Sequence, residues 1–500
     1  MADRSPKLWG ALAGNFLAEA TLRIPAFIWD AWAARRLTKR EFGVWIGFRL
    51  ILQVTPYFQG LTLFGLDLRY SHLVGAGEYE KARRTAGAAL ISTTLCTSLL
   101  LLLLSPGLIF EKVRNAMVPG SAPAQIALLM GIAFAQTFYA VVGTHLRNRL
   151  RFHAMNLGLL FGNTVGMAVL FLLLPSLRVY GCLIAFSVMV LVCTLSWLRH
   201  IDLVIPDRHQ IWSEFRELAK LGLPLIAAGG VLDGLRLLGR WFVAHSRGVE
   251  ALGTYGVAYV FSGIVFLAGT SSSRVLVQFM GRAEGAKLSR EFQAVRYLFA
   301  PGLAVAAVGS LSASLVWVGA QWFLPWWAPA QAAALVVLRP AIYGALPFSV
   351  AYLYMTLLRA QGRLRELIVV TGGTFVGYVV ALGAVAAAAA SLRTFVTTEA
   401  TGFAVVAVVL VGWTGQSLGS RRWWFLGILV TIFGATVLGM EIGTRAAVGA
   451  QTPLRGVGIQ LACNFLALAV WGPVAWLALR RLLGEVREHT DEDVPSPIAV

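Results

Sequence analysis

Long apolar runs recur from one end of this 500-residue chain to the other, and they restrict the folds that it can adopt. Runs of about 17–25 apolar residues are long enough for an α-helix to cross a hydrocarbon core of about 30 Å. Only 13% of the residues are charged, whereas soluble domains have roughly 25%. A membrane β-barrel would instead alternate in segments of about ten residues. The sequence therefore predicts an all-α, polytopic membrane protein with about fourteen transmembrane helices.

The loops between the predicted spans differ in charge. Lys and Arg accumulate in the cytoplasmic loops of membrane proteins. With the N-terminus inside, 25 of the 42 basic residues fall in cytoplasmic segments, 11 outside and six within spans. The first outer loop is an exception, since it holds Arg35, Arg36, Lys39 and Arg40. We therefore expect both termini in the cytoplasm. The predicted spans lie near 9–34, 42–66, 86–110, 123–145, 154–175, 179–199, 217–246, 251–279, 297–320, 332–358, 367–391, 401–418, 423–441 and 456–479.

The net charge of +18 does not require nucleic acid as a partner. Anionic lipid headgroups and an anionic substrate are sufficient to explain it. The four cysteines lie in apolar spans without CxxC spacing, so we expect buried thiols and no metal site. Phosphate-loop, H-E-x-x-H and nucleophile-elbow motifs are missing from the sequence. We therefore expect no cofactor and no enzymatic activity, and a driving force that comes from an ion gradient or the membrane potential.

Six arginines fall inside predicted spans, where a charge costs at least ~2.5–3.5 kcal/mol and usually faces a partner or a water-filled path. In the first and seventh spans the charged residues are three, four or seven positions apart, so they share one helix face. These residues are Glu19, Arg23 and Asp30 in the first span and Asp233, Arg236 and Arg240 in the seventh, while Arg49, Arg274 and Arg339 lie in other spans. We predict that Arg23, Arg49, Arg236, Arg240 and Arg274 line one cavity and bind the anionic groups of a substrate. Arg339 has no counterpart in the other half and is the weakest candidate.

The three carboxylates in these spans permit two interpretations. Glu19, Asp30 and Asp233 hold the arginines in place, or they take up a coupling proton. Structural ion pairs between packed helices are the alternative explanation of the arginines as well. Six arginines outnumber three carboxylates, however, so pairing alone leaves positive charge unexplained.

The chain contains an internal repeat. At an offset of 213, Lys7 matches Lys220, Arg23 matches Arg236, and Phe42-Gly43-Val44 matches Tyr255-Gly256-Val257. At an offset of 206, the inner-loop segment G-x-x-E-x-x-K-x-x-R at Gly75 matches the one at Gly281. Both halves begin on the same side of the membrane, so the repeats are parallel, as in several secondary transporters. We predict an N-terminal six-helix lobe over 1–212, a C-terminal six-helix lobe over 213–420, two additional helices over 421–482 and a cytoplasmic tail over 483–500.

Short motifs at the corresponding ends of the two halves carry a family resemblance. They are Arg36-Leu37, Glu41-Phe42-Gly43-Val44-Trp45, Gly65-Leu66-Asp67, the inner-loop segment from Gly75 to Arg84, and Leu252-Gly-Thr-Tyr-Gly256-Val257. The chain resembles the multidrug/oligosaccharidyl-lipid/polysaccharide exporter superfamily over roughly residues 8–480. Within that superfamily it looks most like the bacterial polysaccharide flippases that act on O-antigen-type repeat units.

This resemblance implies two six-helix lobes around a cavity, with the last two spans packed at one side. It implies a protein of the bacterial cytoplasmic (inner) membrane that moves polyprenyl-pyrophosphate-linked oligosaccharide to the outer leaflet by alternating access. The expected partners are the lipid-linked oligosaccharide, membrane lipids, and the polymerase and glycosyltransferases of the same pathway. A lipid II flippase of peptidoglycan synthesis and an inactive paralogue that serves as a scaffold for glycosyltransferases are the alternatives. The identity of neighbouring genes would separate them.

Overall fold

The structure is a computed structural model that describes residues 8–118, 120–201, 203–285, 295–388, 390–414, 421–448, 455–467, 469 and 473. Within these ranges every regular element is helical, which confirms the predicted all-α class. The side chains of Glu19, Arg23, Asp233 and Arg236 lie outside the described part of the structure, although the backbone of their helices is described.

The first half contains six long helices and two short ones. They are α1 (Leu8–Arg36), α2 (Lys39–Gly75), α3 (Tyr79–Leu104), the short α4 (Pro106–Ile109) and α5 (Glu111–Met117), α6 (Pro123–Asn148), α7 (Phe152–Leu177) and α8 (Val179–Leu198).

The second half begins with α9 (Arg208–Gly285), which is broken at Gly248, where φ is 82°. We call the residues before Gly248 the first arm of α9 and those after it the second arm. This break separates the two spans predicted at 217–246 and 251–279. The following elements are a π-helical turn (Val295–Phe299), α10 (Ala300–Trp327), a 3₁₀ turn (Pro329–Ala334), α11 (Leu335–Ala360), α12 (Leu364–Ala387), α13 (Leu392–Thr414), α14 (Arg421–Ala447) and helical residues 455–467.

Among the described residues, ten helices are long and apolar enough to cross a membrane. Helices α1 and α2 are not among them, although they contain 29 and 37 residues. Charged and polar residues such as Arg49, Gln59 and Asp67 interrupt the apolar sequence of α2. Together with α1, α2 and the first arm of α9, the described helices account for thirteen of the fourteen predicted spans. The last predicted span, near 456–479, is described only in part.

Corresponding junctions of the two halves are held by the same kind of hydrogen bond. In the first half, Arg178 at the α7–α8 junction donates to the carbonyl oxygen of Arg36 at 2.7 Å. In the second half, Arg247 donates to the carbonyl oxygen of Ala390 at the α12–α13 junction. Arg178 and Ala390 are separated by 212 positions, close to the offset that aligns the repeats. In the first half the donor lies at the α7–α8 junction, whereas in the second half the donor lies in α9 and the α12–α13 junction accepts. The contact is therefore preserved, but the donor and acceptor positions are exchanged.

The aromatic-Gly-Val motifs of the two halves pack near each other. The first motif lies at the start of α2, where Thr38 and Glu41 form a capping box: the Glu41 amide donates to the Thr38 hydroxyl at 3.2 Å, and the Thr38 amide donates to the Glu41 carboxylate at 2.9 Å. Gly43 packs directly on the backbone of Val249, because a Cβ at Gly43 would overlap the Val249 carbonyl oxygen. Gly256 faces Ile46 in the same way, since its Cβ would lie 2.6 Å from that side chain. The glycines therefore allow α2 to approach the second arm of α9 closely at the predicted outer end.

Candidate functional site: an arginine-lined cavity

A cavity of about 750 Å³ lies where the two halves meet. Its walls come mainly from α2, α6, both arms of α9 and α11. Helix α2 meets the second arm of α9 above and below the cavity, through the glycine packing at Gly43 and through a hydrogen bond between Ser71 Oγ and Gln278 Oε1 at 2.5 Å. Both Ser71 and Gln278 are buried. The cavity therefore lies between two helix–helix contacts, each of which joins the first half to the second.

Positive charge predominates on the described wall of the cavity. Arg49 and Arg147 come from the first half, and Arg240, Arg274 and Arg359 come from the second, with Asp30 and Asp67 as the carboxylates. Five guanidinium groups thus face two carboxylates on the part of the wall that the structure describes. An excess of guanidinium groups on a cavity wall favours an anionic ligand, because guanidinium forks match the oxygens of carboxylates and phosphates.

The first-half arginines of the cavity are held by carboxylates of the same half. Arg49 on α2 donates to Asp30 on α1, with Nη1 2.5 Å from Oδ1. Arg147 at the end of α6 donates from Nη2 to both oxygens of Asp67 on α2, at 2.8 and 2.6 Å, and lies 3.3 Å from the Thr144 hydroxyl. Charge-assisted hydrogen bonds of this length are roughly twice as strong as hydrogen bonds between neutral groups. Each pair offsets part of the desolvation cost of its two ions.

Two second-half arginines of the cavity stack on aromatic rings. The Arg240 guanidinium carbon lies 3.8 Å from the ring centroid of Tyr259, and that of Arg359 lies 4.8 Å from the ring centroid of Phe64. A guanidinium over a ring face is attracted by the ring electrons and can still donate to a carboxylate or phosphate in bidentate fashion. Arg274, on the second arm of α9, is exposed.

The structure brings together those predicted site residues whose side chains it describes. Arg49, Arg240 and Arg274 line the cavity, and so does Asp30. The roles of Glu19, Arg23, Asp233 and Arg236 remain predictions, because their side chains lie outside the described residues.

Arg339 belongs to a different site. On α11, it donates to both carboxylate oxygens of Glu441 on α14 at 3.1 Å, and the Tyr343 hydroxyl donates to the same carboxylate at 2.7 Å. Its guanidinium also stacks on Trp317, at 4.8 Å. Arg339 therefore joins α14 to the second half and does not line the central cavity.

Sequence reasoning missed Arg147 and Arg359 as cavity residues, because both fall in arginine clusters that we assigned to cytoplasmic loops. A signal was present, since Leu146-Arg147 and Leu358-Arg359 are equivalent at an offset of 212. The turns that follow are equivalent too: Leu150 and Gly362, again 212 positions apart, have positive φ values of 57° and 67°. Two arginines at equivalent helix ends, one in each half, could have been recognised as a pair.

The start of α13 was also predicted wrongly. The helix begins at Leu392, nine residues before the expected start at 401. Consequently Glu399, which the sequence placed outside a span, lies within a helix and is buried. Its carboxylate accepts a hydrogen bond from the Tyr255 hydroxyl on the second arm of α9.

Comparison with known proteins places this geometry in a structural class. No protein-family model matches the chain, and no curated protein matches it. Thirty-one chains of solved structures do match. A MATE in complex with MaL6 has a TM-score of 0.62 at 15% identity, covering 84% of this chain and 98% of that chain. A variant of the Vibrio cholerae MATE transporter VcmN also gives 0.62, at 14% identity over 83% and 98% of the two chains. The fold is that of the MATE transporters.

One further similar structure has a different pocket chemistry. It is a transporter of the MOP superfamily from Pyrococcus furiosus, with a TM-score of 0.57 at 15% identity over 85% of this chain and 99% of that chain. It is described as having a binding pocket of reverse polarity that suggests a different function. The MOP superfamily is the exporter superfamily that the sequence motifs resemble, and the likeness to this structure shows the fold.

Proposed function

We propose that this protein is a transporter that moves a lipid-linked, pyrophosphate-bearing oligosaccharide across the bacterial cytoplasmic membrane. The observation that carries the proposal is the described part of the cavity wall, where five arginines from both halves face two aspartates. A pyrophosphate group must leave bulk water while it crosses, and arginine forks match phosphate oxygens in bidentate geometry. Transport of cationic compounds would call for an excess of carboxylates instead.

Neutral polar side chains provide the second part of the argument. Gln53 and Tyr57 on α2 and Gln136 and Tyr139 on α6 line the cavity beside the arginines. Amide and phenol groups donate to and accept from sugar hydroxyls, and aromatic faces offer apolar surface to sugar rings. A volume of about 750 Å³ lies within the roughly 300–1,000 Å³ of typical ligand sites. The cavity can accommodate a pyrophosphate with its first sugars, while the polyprenyl tail remains in the lipid.

The arrangement of the halves supports alternating access. The cavity lies at their meeting point, and the contacts on either side of it are made by the same two segments, α2 and the second arm of α9. Rocking of one parallel repeat against the other would break one contact and retain the other. The MATE-like fold supports this mechanism, since it belongs to transporters. From the distribution of Lys and Arg, both termini are proposed to lie in the cytoplasm. The polymerase and glycosyltransferases of the pathway are the proposed partners.

Reconstituted flipping is the decisive experiment. Proteoliposomes that contain the purified protein are supplied with a polyprenyl-pyrophosphate carrying either a polysaccharide repeat unit or the lipid II headgroup, and the fraction translocated is measured. We expect the repeat-unit substrate to be moved and Arg49→Gln, Arg274→Gln and Arg359→Gln to reduce transport at least about tenfold, by the loss of charge-assisted phosphate contacts. Replacement of Arg339 by Gln is the matched control, because this arginine lies outside the cavity.

Three results would contradict the proposal in different ways. Preferential transport of lipid II would support a peptidoglycan flippase with the same cavity chemistry. Absence of transport of either substrate by stable protein would support the scaffold alternative. Full activity of all three cavity variants would show that the cavity arginines do not bind the substrate.

A further inference from the structure

A buried carboxylate lies behind the cavity wall, on a helix that contributes no described residue to that wall. Glu399 on α13 is 5% exposed and accepts a hydrogen bond from the Tyr255 hydroxyl. Gly239, on the first arm of α9, leaves room for it. A Cβ at Gly239 would lie 3.1 Å from both Glu399 Oε1 and the Tyr378 hydroxyl. The backbone of α9 and the Glu399 carboxylate are therefore in close contact at this point.

Arg240 directly follows Gly239 and connects this cluster to the cavity. Its guanidinium stacks on Tyr259, which is one helical turn after Tyr255 on the same arm of α9, and both Arg240 and Tyr259 line the cavity. Arg240 and Glu399 also both lie close enough to the Tyr255 hydroxyl to interact with it electrostatically. The positive and negative groups are thus members of one buried cluster, of which only the positive member reaches the cavity.

A second, smaller cavity adjoins both the cluster and the central cavity. Its volume is about 30 Å³, room for about two water molecules. Tyr255, Tyr259 and Glu399 line it, and it shares Tyr259 and Phe266 with the central cavity. The two cavities are therefore neighbours across the Tyr259 and Phe266 side chains. Arg240 lines the central cavity and directly follows Gly239, whose backbone contacts Glu399, so it is the cavity arginine that adjoins this carboxylate.

We propose that Glu399 and the anionic headgroup of the substrate compete for Arg240. The inference rests on the proposed function, and it makes Glu399 a positioning residue for the cavity arginine. In the empty cavity the carboxylate balances the guanidinium. When a phosphate binds, Arg240 directs its N–H groups to the phosphate, and Glu399 keeps the hydrogen bond from Tyr255. The competition weakens binding enough for the headgroup to be released on the other side.

Binding of soluble pyrophosphates to the full-length, detergent-purified protein tests this inference. The probes are inorganic pyrophosphate and geranyl pyrophosphate, and tryptophan fluorescence or calorimetry gives the Kd. Glu399→Gln removes the competing charge, so we expect the Kd to fall at least about fivefold. A structural role alone would weaken binding or leave it unchanged. Combined with Arg240→Gln, the same substitution should bring no gain, because the gain acts through Arg240.

Two further variants keep the test decisive. Tyr255→Phe removes the donor that holds Glu399, so the carboxylate depends more on Arg240 and the Kd should rise about threefold. Glu441→Gln is the matched control: its carboxylate also contacts an arginine and a tyrosine, but outside the cavity, and its Kd should not change.

The outcomes separate the inference from the proposed function. If the wild type binds neither probe, the proposed function fails and the inference fails with it. If the wild type binds but Glu399→Gln leaves the Kd unchanged or raises it, only the inference is overturned. A gain that persists in the Arg240→Gln background overturns it as well. If Glu399→Gln does not fold, Tyr255→Phe decides, and an unchanged or lower Kd in that variant rejects the competition.

Discussion

The ion pair between Asp67 and Arg147 should contribute measurably to stability, although it lies at the cavity wall. We consider the single substitutions Asp67→Asn and Arg147→Gln and the double variant. Each single substitution leaves one charge of the pair without its partner, whereas the double variant leaves none. We therefore expect the double variant to lose less stability than the sum of the two single losses.

The expected magnitude follows from burial and geometry. Arg147 bonds both oxygens of Asp67, and the two side chains are 20% and 9% exposed. Loss of one partner of a fully buried pair costs roughly 3–5 kcal/mol, while exposed pairs contribute about 0–1 kcal/mol. Because Arg147 is one-fifth exposed, we expect about 2 kcal/mol for each single substitution and a coupling energy of similar size.

Unfolding in mixed micelles with increasing SDS, at fixed protein concentration, measures these free energies. A comparison pair is available on α3, where Arg84 and Glu80 interact at 2.6 Å with side chains that are 46% and 73% exposed. Its coupling energy should be no more than about 0.5 kcal/mol. Additive single effects at Asp67 and Arg147, with coupling as small as in the control pair, would refute the reasoning.

The same variants also address binding. The double variant removes one positive and one negative charge, so it preserves the excess of positive charge in the cavity. Arg147→Gln alone reduces that excess. We therefore expect the double variant to bind pyrophosphate more tightly than Arg147→Gln, measured by the same fluorescence titration. Equal affinity of the two would show that the balance of charge in the cavity does not govern binding.

Other regions of the chain give independent predictions. Gly43→Ala should lower the apparent unfolding temperature by several degrees, because a Cβ would overlap the facing backbone carbonyl. Gly131→Ala is the control and should not lower it, because a Cβ there would have no atom within 4 Å. Equal unfolding temperatures of the two variants would contradict the close packing of α2. In a cysteine-free background, a single cysteine at Lys112 should react with a membrane-impermeant maleimide from outside the cell, and one at Arg365 only after lysis; the reverse pattern would invert the topology. Removal of the Arg339 ion pair, with both partners replaced by glutamine, should leave transport unchanged in the flipping assay, and a loss of activity in stable protein would show that α14 takes part in transport.

Much of the architecture could be predicted from the chain alone. Runs of apolar residues determine helices in a membrane, because every backbone N–H and C=O group must be satisfied within its own segment in lipid. The repeat could be recognised because charged and glycine residues recur at fixed offsets. Gly43 and Gly256 recur where α2 and the second arm of α9 pack closely. Arg49, Arg240 and Arg274 could be identified as candidates because a charge in an apolar helix is costly and usually faces a partner or a water-filled path.

Tertiary structure decided which charges share a site. Arg339 and Arg240 both lie in predicted spans, yet one pairs with Glu441 on α14 and the other lines the cavity beside Tyr259. Arg147 and Glu399 looked like loop residues and became part of the cavity wall and of the cluster behind it. The physical reason is that helix periodicity gives only the relative directions of side chains on one helix. The rotation of that helix against its neighbours depends on packing between segments that are far apart in the sequence, and so does the exact residue at which it begins.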